Sequence, residues 1–201
     1  MTRQLTFLTL GPAGTNHELV TRRYLACHGV PARVDLIEDF FCGLAQIKSG
    51  VADYMVQAAV HRDCADVVAR GHFEFDVHVV DTFISPSKEL AILTRSEVSV
   101  PWTLALQPST RAYADLSAWS EHVSVGSIME VAEGLLDGRY DSGLTTSELG
   151  ADHPDRFRVE TKIGTVDDPW IVLGRTRVAE NGLVCWPESP GARRIRSYVC
   201  K

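Results

Sequence analysis

The sequence predicts an α/β protein of two lobes, and two observations carry that reading. Segments with alternating apolar spacing are interleaved with segments at helical spacing, and this pattern runs twice, over residues 4–59 and again after residue 102. Between the two runs lie a pair of extended apolar stretches, Val77–Phe83 and Glu89–Thr94, which read as crossings between lobes.

The elements follow in order. Gln4–Leu10 alternates and is rich in Leu, Thr and Phe, so it reads as a strand, and Gly11-Pro-Ala-Gly-Thr-Asn16 turns it into a helix over about His17–His28. Val34–Ile37 is a second strand. After it, Phe41, Leu44, Ala45 and Lys48 recur at helical spacing until Gly50 stops them, and Tyr54–Ala59 is a third strand. Such a β-α-β-α-β order implies a parallel sheet with crossover helices. The second set comprises Thr103–Leu106, a helix ending near Trp119, Val123–Val125, a helix over Ile128–Leu136, and Ser142–Thr145. Trp170–Gly174 is the last strand, and the stretch after Arg175, broken by Gly182, Pro187, Pro190 and Gly191, reads as irregular. The lobes expected are residues 1–80 with 166–201, and 81–165, with a binding cleft between them.

Composition narrows the function classes. A net charge of −6 without a basic block opposes nucleic-acid binding, which depends on neutralising phosphates. No run of about 18 apolar residues is present, so no membrane partner is expected. The N-terminus lacks the charged-then-apolar order of a secretory signal, and the cytoplasm is the expected location. Five scattered cysteines, Cys27, Cys42, Cys64, Cys185 and Cys200, show no zinc spacing and read as free thiols. The acidic residues show no metal-loop spacing, the glycines match neither a dinucleotide nor a phosphate loop, and no serine-hydrolase elbow appears. No metal and no cofactor are therefore expected.

Gly11-Pro-Ala-Gly-Thr-Asn-His-Glu18 stands where a strand gives way to a helix. Its backbone N–H groups, starting at Gly14, and the side chains of Thr15 and Asn16 suit an anion on the helix dipole; they equally suit an ordinary helix cap. Gln57, Ser85, Ser87, Gln107, Ser109, Thr110, Ser127 and Thr146 also fall at element ends, where they can hold a carboxylate or keto group or simply cap helices. Trp170 is either a wall of the cleft or core.

The segment Leu8-Thr-Leu-Gly-Pro-Ala-Gly-Thr-Asn-His-Glu18 resembles the opening motif of the prephenate dehydratases. Four further segments resemble that family in the same order: Gly50-Val-Ala-Asp-Tyr54, Gln107-Pro-Ser109, Val125-Gly-Ser-Ile-Met-Glu-Val-Ala132 and Leu144-Thr-Thr-Ser-Glu-Leu-Gly-Ala151. The resemblance covers residues 5–175 and implies a fold like a type II periplasmic binding protein, a small carboxylate substrate between the lobes, and a homodimer.

The departures point to a subclass. Where dehydratases carry Thr-Arg-Phe, with a threonine that helps expel the ring hydroxyl, this chain has Asp168-Pro169-Trp170. The family's Pro-Ile-Glu-Asn is Ala58-Ala59-Val60-His61, and a regulatory ACT domain has no room. Leu10-Gly-Pro-Ala-Gly-Thr-Asn16 and Trp170…Gly174 resemble instead the bacilysin-pathway prephenate decarboxylases, although their Pro-His after the third strand is replaced by Ala58-Ala59. That resemblance implies decarboxylation without aromatisation, for secondary metabolism. Such chemistry withholds a proton from the ring hydroxyl and delivers one to a ring carbon. His17 and His61, just past strand ends, are the candidate donors, because histidine titrates near neutral pH. The alternatives are a dehydratase that yields phenylpyruvate and a non-catalytic binder of small carboxylates.

Overall fold

The computed structural model describes residues 3–178 and 182–199, and among these ten strands form two five-stranded sheets. The first sheet has the order β2-β1-β3-β10-β4, from β1 (Leu5–Leu10), β2 (Ala32–Ile37), β3 (Tyr54–Ala58), β4 (His78–Pro86) and β10 (Asp167–Gly174). The second has the order β7-β6-β8-β5-β9, from β5 (Leu90–Arg95), β6 (Thr103–Leu106), β7 (Glu121–Ser124), β8 (Ser142–Thr146) and β9 (Phe157–Gly164). In each sheet the three strands expected to be parallel are parallel. Each sheet is completed by two further strands joined through antiparallel pairings, so both are mixed.

The helices sit where capping chemistry puts them. Helix α1 (Asn16–Cys27) follows the glycine turn, and α2 (Phe40–Ser49) starts where Asp39 accepts the Phe41 N–H. Gly50 closes α2 at φ 78°, a left-handed conformation that glycine adopts without steric cost. The buried face of α2 is Phe40, Leu44 and Ile47, packed on Leu8, Met55 and Ile171, whereas Ala45 and Lys48 of the expected face are exposed. On the other side of the sheet, Phe7, Val56, Trp170 and Val172 meet Val20 and Leu25 of α1. In the second lobe, α4 (Ile128–Leu136) starts where Ser127 Oγ accepts the Glu130 N–H. It lays Val131 and Leu135 on Ala91, Leu93 and Ala105, while Leu104, Leu106 and Leu144 pack with Trp119.

Several elements differ from the expectation. The helix expected to end near Trp119 is only a 3₁₀ turn at Pro108–Thr110 followed by irregular chain. There Thr110 Oγ1 donates to Gln107 O and the Asp115 carboxylate accepts the Ser117 N–H, local bonds that compete with a helix. The tail read as irregular contains α6 (Pro190–Val199), in which Ser189 Oγ accepts the Ala192 N–H and proline occupies the first turn. Helices α3 (Cys64–Arg70) and α5 (Ser147–Asp152), a π-type turn at Gly71–Phe75 and edge strand β9 were not expected. Cys27, Cys42, Cys64 and Cys185 are free thiols, and Cys200 lies outside the described residues.

The chain changes sheets at residues 87–89, a few residues beyond the expected 80/81 boundary, because β4 stays paired with β10 as far as Pro86. It returns between Gly164 and Asp167. The two crossings are laced together: Ser87 N–H donates to Val166 O at 2.8 Å, and Ser87 Oγ accepts the Val166 N–H at 2.9 Å.

Candidate active site

A cleft of about 680 Å³ opens between the sheets, a size suited to a small molecule. From the first lobe it is walled by the β1–α1 turn, the start of α2, and residues 58–63 after β3. The second lobe contributes Gln107–Thr110, Tyr113 and Val125–Ile128, and Ser87, Asp168 and Trp170 close the end near the crossings.

His17 and His61 are both in this cleft, with ring centroids 5.9 Å apart. The turn after β1 starts α1 one residue before His17, which sets its imidazole edge-on to Trp170 at 5.2 Å and tilted against Phe40 at 5.7 Å. Its Nε2 accepts the Ala58 N–H at 3.4 Å, which assigns the ring proton to Nδ1. Burial and then the neighbouring His61 lower its pKa to about 3, so His17 is neutral near physiological pH. His61 is also held below the usual histidine value, by burial first; Asp63 opposes this and Arg62 adds to it. The Nδ1 of His61 accepts the Asp63 N–H at 3.3 Å. His17 thus offers a neutral Nδ1–H, and for His61 burial disfavours the charged form.

Of the other predicted residues, Thr15, Asn16, Ser87, Gln107, Ser109, Thr110, Ser127 and Trp170 line the cleft, and Gly14, Gln57, Ser85 and Thr146 do not. Many of the expected ligands are already bonded within the protein. Asn16 Oδ1 accepts the Lys88 N–H at 2.7 Å, and Thr15 Oγ1 donates to Leu10 O at 3.3 Å. The Gly14 N–H donates to Glu18 at 2.8 Å, filling the turn with the chain's own carboxylate. Ser85 donates to Pro86 O, Ser87 to Lys88 O and Thr110 to Gln107 O, Ser127 caps α4, and Gln107 Nε2 donates to Gly126 O at 3.5 Å. Gln57 is fully buried, and its amide has no partner among the described residues. The same is true of the Trp170 indole N–H.

Two cleft residues escaped the sequence reading. Asp168 is 8% exposed, and its carboxyl makes no hydrogen bond or ion pair among the described residues. Burial, and then Asp167, raise its pKa. Tyr113 approaches from the second lobe, its phenol pushed up by burial and then by Asp168. The available signal was an acid at the entry of an apolar strand, at the position aligned with the dehydratase threonine. Among the described lining residues Arg62 is the only Lys or Arg, against Glu38, Asp39, Asp63 and Asp168. An anionic ligand in this cleft is therefore held chiefly by neutral donors. No cluster of three or more His, Cys, Asp or Glu among the described residues is placed to hold a metal ion.

By sequence, the chain matches no family model and no curated protein. By structure, it is similar to the prephenate dehydratase of Arthrobacter aurescens in complex with L-Phe, at a TM-score of 0.66 and 18% identity, over 94% of this chain and 70% of that one. The fold is shared with a prephenate dehydratase. It is also similar to GqqA, described as a novel type of quorum-quenching acylase, at a TM-score of 0.57 and 14% identity over 88% of this chain. An ABC transporter protein from Parabacteroides distasonis aligns at a TM-score of 0.51 and 11% identity, again over 88% of this chain. The chain spans 65% and 66% of the length of these last two. The architecture is thus the two-lobed, type II periplasmic-binding-protein-like one.

Proposed function

We propose that the chain is a cofactor-independent lyase that decarboxylates prephenate, or a close relative, without aromatising its ring. The observation that carries this reading is the cleft end of β10. Asp168-Pro169-Trp170 stands there in place of Thr-Arg-Phe, and Trp170 packs under the neutral ring of His17. Prephenate readily loses carbon dioxide when hydroxide can leave through the diene, so a non-aromatising enzyme must keep that hydroxyl unprotonated. A neutral His17, donating through Nδ1–H, can hold a carboxylate or keto oxygen without supplying a mobile proton. A dihydro-hydroxyphenylpyruvate-type product of this kind serves secondary metabolism.

A second reading, a dehydratase giving phenylpyruvate, is favoured by one specific observation: an acid, Asp168, occupies the place of the missing threonine. Purified protein mixed with prephenate and followed by mass spectrometry separates the two. Loss of carbon dioxide alone supports the decarboxylase; loss of carbon dioxide and water establishes the dehydratase. Prephenate that persists at its spontaneous decay rate sinks both and leaves a binder of small carboxylates.

A further inference from the structure

We propose that the carboxyl of Asp168 is the proton donor to the substrate ring, a role that rests on the lyase reading. Geometry singles out this group. Asp168 lies on β10 directly opposite Ser85 of β4, two residues beyond the Val166 crossing, and its backbone N–H donates to Val166 O at 3.1 Å. Its side chain is buried in the cleft wall without a hydrogen-bond donor or cation among the described residues. A partly desolvated carboxylate left unpaired is costly, and the cost is relieved when the group keeps its proton. Burial and Asp167 act in that direction.

The other acids of the cleft are placed differently. Asp39 accepts the Phe41 N–H at the start of α2, Asp63 lies beside His61 and Arg62, and Glu38 is exposed. Burial disfavours the charged form of both histidines. The titratable and charged groups around Asp168 are Asp167 on its own strand, Tyr113, His17 and His61 in the cleft, Lys88 at the crossing, and Arg23 of α1, whose guanidinium donates at 2.7 Å to Pro86 O, the residue paired with Asp167. The Lys88 amine is engaged by Glu148 at 2.8 Å.

The step balances without an oxidant. The bond between ring carbon and carboxylate breaks and carbon dioxide leaves. The electron pair moves through the diene and forms a carbon–hydrogen bond with the Asp168 proton, and the ring hydroxyl stays in place; the same proton given to the hydroxyl would expel water and make the dehydratase instead. Asp168 is left as a carboxylate, which repels an anionic product and recovers its proton from water. In its neutral form the same group lets an anionic substrate enter a cleft already rich in acids.

The test compares the full chain with Asp168→Asn and Asp168→Glu, with folding checked by circular dichroism and prephenate binding by calorimetry. Asp168→Asn is expected to lower kcat by about 10²–10⁴-fold, the usual contribution of a positioned acid, while binding is retained. Asp168→Glu restores part of the rate, and the loss of wild-type kcat at alkaline pH is absent from the residual activity of Asp168→Asn. An Asp168→Asn protein that keeps wild-type kcat and the same alkaline limb overturns the assignment. Wild-type product that has lost water as well as carbon dioxide, with Asp168→Asn inactive, moves the proton to the hydroxyl and overturns delivery to carbon. Wild-type protein that leaves prephenate untouched fails the lyase reading itself, whatever Asp168 does.

Discussion

Replacing Asn16 by alanine removes the oxygen that accepts the Lys88 N–H at 2.7 Å. The bond is partly buried and joins residues 72 apart in sequence, and a methyl side chain offers the freed N–H no acceptor in its place. Leaving a buried donor unsatisfied costs about 1–3 kcal/mol. In a chain of 201 residues each kcal/mol lowers Tm by about 2–4 °C. Asn16→Asp keeps an acceptor oxygen and adds negative charge at the start of α1, where the helix dipole favours it, so it is expected to stay within about 0.5 kcal/mol of wild type. Thermal melts of the three proteins without ligand are the assay. If Asn16→Ala melts with the wild type and only prephenate binding weakens, Asn16 is a substrate ligand first and the latch reasoning is refuted.

Further outcomes follow from the same geometry. His17 is neutral when folded and has its ordinary pKa when unfolded, so the unfolded chain binds the extra proton and stability falls as pH drops from about 6.5 towards about 3. His17→Gln is expected to flatten that acid slope in urea melts, and parallel slopes would count against a buried neutral ring. Ser87→Ala removes the acceptor of the Val166 N–H, and faster hydrogen exchange at Val166 with a loss of about 1 kcal/mol is the expected reading; unchanged protection there contradicts the lacing of the crossings. Gly50→Ala forces a left-handed residue to carry a Cβ that meets Arg175 Nη1 at 2.9 Å, and a destabilisation of about 1 kcal/mol or more in chemical melts is expected.

Much of the fold was legible because its signals are local. Asp39 and Gly50 bracket α2, Ser127 starts α4, and the apolar runs of β1 and β3 are buried along nearly their whole length. Local signals also misled. Pro190 was read as a breaker although, after Ser189, it is a first-turn residue, and a helix was expected to end near Trp119 although that residue and Leu116 are anchors of irregular chain. Strand β9, at a sheet edge, alternates Phe157, Val159, Thr161 and Ile163 with Arg158, Glu160 and Lys162, a period-two signal that the sequence reading passed over. The cleft residues were found because strand ends were the right place to look. Their roles were not legible, since the partners of Asn16, Ser87 and His17 lie 41 to 79 residues away. Asp168 was passed over because a residue type says nothing of its desolvation.

The Asn16 latch and the Ser87 lacing together decide which wall of the cleft can retreat. Lys88 belongs to the crossing, so α1, with His17 on its first turn, is tethered to the strand passage itself and not to the body of the second lobe. A rigid-body swing of the lobes that keeps these bonds therefore has its pivot past Lys88, towards β5. In that swing His17, Trp170 and Asp168 travel as one jaw, while Tyr113 and the turn at Pro108–Thr110 ride on the other.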